Sequence, residues 1–331
     1  MSRIGLLLVT AAVFYARGWS AEAKPTSWIE DAGGVAIRDS SGRITGVDFR
    51  ASWVTDSDLS RLSSLQDLAT LNLSLTRITD QGMQELRNLE GIVDLDLRFA
   101  EYVTDEGIAA IKNWKHLKRL NLHGTKASDT SLDHVSAIAT LEVLDVGSVM
   151  LTDVGLERLT VLPKLKRLRI GGNELGDAGL QAFRQMPGIT HLDLSGRQGT
   201  DSNVWAISMS DVGLEAILTL ANLQDLRFGC TSIGIGVEGA RFGTVSAMNV
   251  TGRWLEKIKS LRNLRSLTLQ GCNRVDDEAA GILASFPAIE ELDLKGTAVT
   301  EKGLGALRAA RPKLRILTGP WEANAANFRN N

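Results

Sequence analysis

The chain of 331 residues has little of several things that ordinarily narrow a function. It holds two cysteines, Cys230 and Cys272, too few for a disulfide framework, and a chain of this length can bury a sufficient core without one. Both stand just after the strands of successive repeating units. A single bridge between them is one reading, and buried free thiols in turn positions are the expectation carried forward. Histidine is almost as scarce, with four residues, which restricts metal and acid–base chemistry. The net charge is −2, from 37 basic and 39 acidic side chains, so the chain lacks the charge excess that phosphate backbones or anionic membranes select. That argues against nucleic acid as a partner. Beyond the first segment no apolar run approaches the roughly 20 residues a membrane-spanning helix needs. What remains, 44% hydrophobic and 23% charged residues, is ordinary for a folded protein with a sizeable core.

The first segment reads as an address. Arg3 is followed by the apolar run from Ile4 to Ala16, 13 residues, and then by Ala21-Glu-Ala23, the positive start, apolar middle and A-x-A site of a cleaved secretory signal. Residues 1–23 are therefore expected to be removed and the mature chain to be secreted or periplasmic, with no membrane span of its own. Arg17 keeps an uncleaved anchor open as the alternative.

The dominant feature is an internal repeat of about 24 residues. Leu59, Leu62, Leu65, Leu68, Leu71 and Leu73 recur as Met83, Leu86, Leu89, Ile92, Leu95 and Leu97, and again as Ile108, Ile111, Trp114, Leu117, Leu120 and Leu122. The same spacing continues to Ile289, Leu292 and Leu294. Between these ladders stands a second phrase: Ile78-Thr-Asp-Gln-Gly82, Val103-Thr-Asp-Glu-Gly107, Leu151-Thr-Asp-Val-Gly155, Leu175-Gly-Asp-Ala-Gly179 and Val299-Thr-Glu-Lys-Gly303. A Thr or Asp there caps a helix, the apolar residue before it enters the core, and the Gly permits close approach of the first helical turn. The L-x-x-L-x-L portion alternates at period two and forms a short strand. Each unit is strand, loop, helix, loop.

These residues resemble the leucine-rich-repeat family, and the T-D-x-G-L phrase is most similar to the subclass found in F-box repeat proteins, GALA-type proteins and secreted bacterial repeat proteins. The resemblance covers about residues 44–318. It implies an α/β horseshoe solenoid, with a parallel sheet on the concave face and helices on the convex face, because strands sit ~4.8 Å apart while helices are ~10–12 Å across. Eleven strand cores run from Val47 to Leu317. Residues 24–43, with a short helix begun by Thr26 and Ser27 and a hairpin around Asp39-Ser-Ser-Gly42, are expected to cap one end, and residues 319–331 the other.

Alternation puts the leucines inward and the residues between them on the concave face. Candidate partner-binding residues there are Asp94, Asp96, Arg119, His123, Arg167, Arg169, His191, Asp193 and Arg227. The plainer reading of this polar column is a solvated sheet face on which Asn and Asp are merely tolerated. On it, loss of Leu144 is costly through the cavity it leaves, while loss of Asp145 costs little. The repeat length breaks twice on one edge, near 196–211 and 230–252, and insertions on one edge of a solenoid mark its binding side. Trp205, Arg241 and Phe242 in those loops are of the residue types that dominate interface energetics, with folding back into a satellite core as the alternative.

No catalytic or cofactor constellation emerges. His123 and His191 are separated by three strands, ~14 Å. Gly234-Ile-Gly-Val-Glu-Gly239 lacks the strand–turn–helix setting of a dinucleotide site, Asp201-Ser-Asn203 lacks the rest of a calcium loop, and Asn72-Leu-Ser74 and Asn249-Val-Thr251 are glycosylation sequons. The expected function is non-enzymatic binding of another protein, such as a cell-envelope component, by a monomer without cofactors. An F-box-like ubiquitin-ligase adaptor is the second reading, although the helices that recruit a ligase would precede the repeats and are missing there. A hydrolase with an unrecognised concave site is the third. Intact-mass measurement of protein from its own host should give a chain that begins at Lys24, recovered outside the cytoplasm; a full-length cytoplasmic species would overturn the export reading.

Overall fold

The computed structural model describes residues 26–196, 198–199, 204–229, 248 and 250–320. Helix α1 (Ser27–Asp31) leads into an antiparallel hairpin of β1 (Val35–Arg38) and β2 (Ile44–Asp48). From β2 onward the strands are parallel and short: β3 (Thr70–Asn72), β4 (Asp94–Asp96), β5 (Arg119–Asn121), β6 (Val143–Asp145), β7 (Arg167–Arg169) and β8 (His191–Asp193). A two-stranded ribbon of β9 (Gln198–Gly199) and β10 (Val204–Trp205) interrupts the series, which resumes with β11 (Asp225–Gly229), β12 (Ser266–Gln270), β13 (Glu291–Asp293) and β14 (Arg315–Leu317). Apart from the ribbon, all belong to one twelve-stranded sheet in sequence order. Helices of four to ten residues, from Asp56–Leu59 to Glu301–Ala310, return the chain from one strand to the next. Among the described residues no helix is long and apolar enough to cross a membrane.

Register is fixed by the core. Leu71, Leu95, Leu120, Leu144, Leu168 and Leu192 pair strand to strand in line, and all are buried. A second buried column, Leu73, Leu97, Leu122, Val146, Ile170 and Leu194, lies two residues on. A one-residue slip would turn both columns to solvent, so the pairing tolerates none.

The T-D-x-G phrase does more than cap. Thr79, Thr104 and Thr152 stand at helix N-caps and accept the amide two residues on, at 3.2–3.3 Å. The Asp that follows turns away from its own helix and holds the next repeat. Asp80 Oδ1 accepts the N–H of Thr104 at 2.7 Å and of Gly107 at 3.0 Å, while its Oδ2 accepts the Thr104 hydroxyl at 2.7 Å. The pattern repeats from Asp56 to Thr79, Asp105 to Ser128, Asp129 to Thr152, Asp177 to Ser210 and Asp277 to Thr300. It also explains the Gly. A Cβ on Gly107 would overlap Asp80 Oδ1, and the same holds for Gly82 against Asp56 and Gly303 against Asp277.

The carboxylates of Asp105 and Asp177 are pushed up by burial, but hydrogen bonds from Ser128 and Ser131, and from Ser210 and Gly213, outweigh it and hold them below the usual 3.8. Asp277 is held low chiefly by the Thr300 hydroxyl. A carboxyl lowered in the folded state adds stability that is present above its unfolded pKa and lost as pH falls through the folded one.

After each strand the chain turns, in most repeats, through a left-handed residue. Gly124, Gly172, Gly271 and Gly296 serve in four repeats, but Leu75, Phe99 and Ser148 do so in others. The Phe99 ring lies against Gly124, where any Cβ would collide with it. Asn173 is fully buried beside this edge and serves four backbone groups: it accepts from Val149 and Leu151 N–H and donates to Val146 and Ile170 carbonyls.

Cys272 is disulfide-bonded, which corrects the expectation of free thiols. The chain's other cysteine, Cys230, lies outside the described residues, as do residues 1–25 and 321–331.

Asp80→Ala should destabilise by about 1–3 kcal/mol, since it strands three donors, and Gly107→Ala by about 1–3 kcal/mol through overpacking. In the Asp80→Ala background Gly107→Ala should cost far less, because the overlapping carboxylate is gone. Chemical denaturation of the four proteins checks this coupling, and additive losses would contradict it.

Candidate binding face

The middle column of the concave face is largely a turn device. Asp48, Asn72, Asp96, Asn121, Asp145, Asp193 and Asp293 each use Oδ1 to accept the backbone N–H two residues on, at 2.8–3.1 Å. Asn and Asp stand there because this short acceptor ends the strand and starts the turn. Two consequences correct the sequence reading. Asp145 is no free surface group, and the Asn72 sequon is spent internally, with Ser74 buried.

Strands β7 and β11 break the pattern by placing Arg169 and Arg227 in this column. They line a depression of about 420 Å³ together with Asp145, Arg167, His191, Asp193 and Asp225, floored by the strand backbone at Leu144, Leu168 and Leu192, whose side chains are buried on the other side of the sheet. Arg169 stands between two carboxylates, 3.6 Å from Asp145 Oδ2 and 3.5 Å from Asp193 Oδ2. Arg227 grips both oxygens of Asp225 at 3.0 and 3.2 Å. Arg167 has no carboxylate of the described residues within ion-pair range; its Nη2 lies 2.9 Å from His191 Nε2.

The surroundings set the protonation of His191. Burial, and then the Arg167 and Arg227 charges against the opposing pull of Asp225, lower its pKa below 6.5. The neutral ring accepts from Arg167 at Nε2 and donates from Nδ1 to Thr190 Oγ1 at 2.9 Å, and that hydroxyl donates to Lys166 O at 3.2 Å. Burial pushes the Asp145 carboxyl up, but His123, Arg169 and the Gly147 N–H together hold it below its usual value.

Of the residues singled out in sequence, Arg167, Arg169, His191, Asp193 and Arg227 come together in this depression. Asp94 and Arg119 pair with each other at 2.7 Å on β4 and β5, away from it. Asp96 shares their end of the sheet, and burial raises its carboxyl above the usual value. His123 is 5% exposed, edge-on to Phe99 with ring centroids 5.2 Å apart. It is therefore withdrawn from the face on which alternation placed it, because it stands one residue past the strand's last core position.

Trp205 is half-buried on β10, opposite Gln198. Just beyond it Ile207 and Met209 enter the main core, so the end of the first insertion packs while Trp205 stays half-buried. Trp254 is buried and donates from Nε1 to Asp211 Oδ1 at 2.8 Å, sealing the helix it begins. Arg241, Phe242, the Gly234–Gly239 motif, Asp201-Ser-Asn203 and Asn249 lie outside the described residues. Among the described residues no group of three or more His, Cys, Asp or Glu could hold a metal ion. Asn173 was missed in sequence, since a lone Asn between Gly172 and Glu174 reads as an ordinary loop residue.

Repeating strand–helix units stacked on one parallel sheet define a solenoid class, and the comparisons place it. A family model described as Leucine Rich repeat matches residues 64–86 and 161–183. The chain carries leucine-rich repeats and folds as a leucine-rich-repeat solenoid. An internalin (inlF) from Listeria monocytogenes str. 4b F2365 superposes with a TM-score of 0.54 at 18% identity, over 80% of this chain and 70% of that one. The complex PEPR1-AtPEP1 gives 0.45 at 16% identity, over 91% of this chain and 38% of that one. The likeness to the internalin is one of fold. In sequence, none of the curated proteins matches the chain.

Leu144→Ala should cost about 2–5 kcal/mol through its cavity. Asp145→Ala should cost about 1–3 kcal/mol, because it strands the Gly147 N–H and one side of Arg169. Denaturation midpoints measure both, and an Asp145→Ala protein as stable as the parent would restore the view of a merely solvated residue.

Proposed function

We propose that the chain is a non-enzymatic scaffold that binds another protein across the concave face at β6–β11, with the first insertion at its rim. The observation that carries this is the depression lined by Arg167, Arg169, His191 and Arg227, at the repeats where arginines displace the turn-forming Asp and where the helix-side loops lengthen. Arginines gathered in one depression, together with a half-buried Trp on the insertion that follows β8, are side chains of the types that anchor interfaces. The internalin-like fold supports the scaffold reading. On this proposal the partner is a cell-envelope protein, the chain acts as a monomer outside the cytoplasm after cleavage behind Ala23, and Arg241 and Phe242 of the second insertion add to the contact.

Affinity capture by the mature protein from its native envelope fraction, followed by binding and melting measurements on variants, tests the proposal. Trp205→Ala, and Arg241→Ala combined with Phe242→Ala, should each weaken binding tenfold or more at unchanged Tm, as central interface residues do. Lower Tm with unchanged affinity would assign these side chains to packing and defeat their role in binding.

A further inference from the structure

On β6 the Asp145 Oδ1 accepts Gly147 N–H at 2.9 Å, and on β8 the Asp193 Oδ1 accepts Ser195 N–H at 2.8 Å. Between them, in register with both, β7 carries Arg169. A donor stands where its neighbours have acceptors. The amide that corresponds to Gly147 and Ser195 is that of Gly171, and it has no acceptor among the described residues. Arg169 Nε is buried and makes no hydrogen bond, although Asp193 Oδ2 lies 3.5 Å away. Gly171 admits no other residue, because a Cβ there would overlap the Ser195 carbonyl. Its N–H is thus held where a carboxylate on residue 169 would otherwise receive it. Arg167 opens into the same depression with no carboxylate of the described residues in range.

We propose that a carboxylate of the bound partner, an Asp or Glu side chain or a chain terminus, fills on β7 the place that Asp145 and Asp193 fill on the flanking strands. It accepts Gly171 N–H and pairs with the guanidinium groups of Arg169 and Arg167. Guanidinium matches the two oxygens of a carboxylate, and the charged hydrogen bonds are among the stronger ones. Asp145, Asp193 and Asp225 match Arg167, Arg169 and Arg227 in number, so admitting a monoanion costs less than admitting a dianion such as phosphate, against which the site discriminates. The inference rests on reading this face as protein-binding, and adds what the partner must present.

The test uses the mature chain labelled with ¹⁵N and sodium acetate as the probe. The Gly171 amide resonance should shift saturably with acetate, and should move much less with acetamide, with phosphate, or with sodium chloride at equal ionic strength. Arg169→Asp supplies an internal carboxylate, so its Gly171 amide should resonate as hydrogen-bonded without acetate and ignore the titration. Arg169→Met, which removes the charge without adding an oxygen acceptor, should weaken the response at least tenfold. A Gly171 amide that follows chloride as it follows acetate, or an undiminished acetate response in either variant, would overturn the proposal. A captured partner whose affinity ignores Arg169→Asp would also overturn it while leaving the scaffold reading intact. An acetate response in a chain that captures no protein would sink the scaffold reading and leave the carboxylate site standing.

Discussion

Most of the described repeats are held to the next by a carboxylate that their own helix does not need. A helix of four to ten residues is too short to be stable alone, and its first amides require acceptors. The N-cap Thr supplies one. The Asp behind it supplies acceptors to the following repeat, where Asp80 takes up the amides of Thr104 and Gly107 and the Thr104 hydroxyl. Such a bond is made only when repeats stack. The coupling between neighbours, on which a one-dimensional array depends, therefore has a polar component as well as the leucine columns.

This ladder also accounts for the irregular stretch. It runs from Asp56 to Asp177 and Ser210, and there it changes character. Asp211 is met by Trp254 Nε1 at 2.8 Å and by Arg253 and Lys257 instead of by the backbone of the next phrase, because the second insertion replaces T-D-x-G with Thr251-Gly-Arg-Trp254. Side chains then do what amides do elsewhere. The ladder resumes between Asp277 and Thr300. The binding face adjoins this interruption, where Arg169 and Arg227 also replace the turn-forming Asp. Local rules of the repeat are broken in both places within the same few repeats, which is where function is sought when a fold departs from its own pattern.

The fold was legible because burial is periodic: the leucine spacing marked strands, register and inward faces, and the pairs observed are those it implies. The phrase between ladders was read as a cap, which holds for Thr79 and Thr104, but the partner of its Asp lies a full repeat away, and no single repeat shows that. Alternation likewise placed Asp145 correctly on the concave side. What it could not show is that the side chain bends back to Gly147 N–H, since facing solvent and accepting a neighbouring amide look identical in a pattern of polar and apolar letters. His123 was misplaced for a related reason, because Phe99, one strand back, covers it. The depression depends on which arginines find carboxylates, a matter of three dimensions.

The inter-repeat carboxylate ladder is tested most directly by amide hydrogen exchange at the N-cap positions. The expected result is that Thr79, Thr104, Ser128, Thr152, Ser210 and Thr300 exchange as slowly as the sheet amides of their own repeats, while Thr251, whose preceding Asp is engaged by side chains, exchanges much faster. Uniformly fast exchange at all of these positions would contradict the ladder as the coupling between repeats.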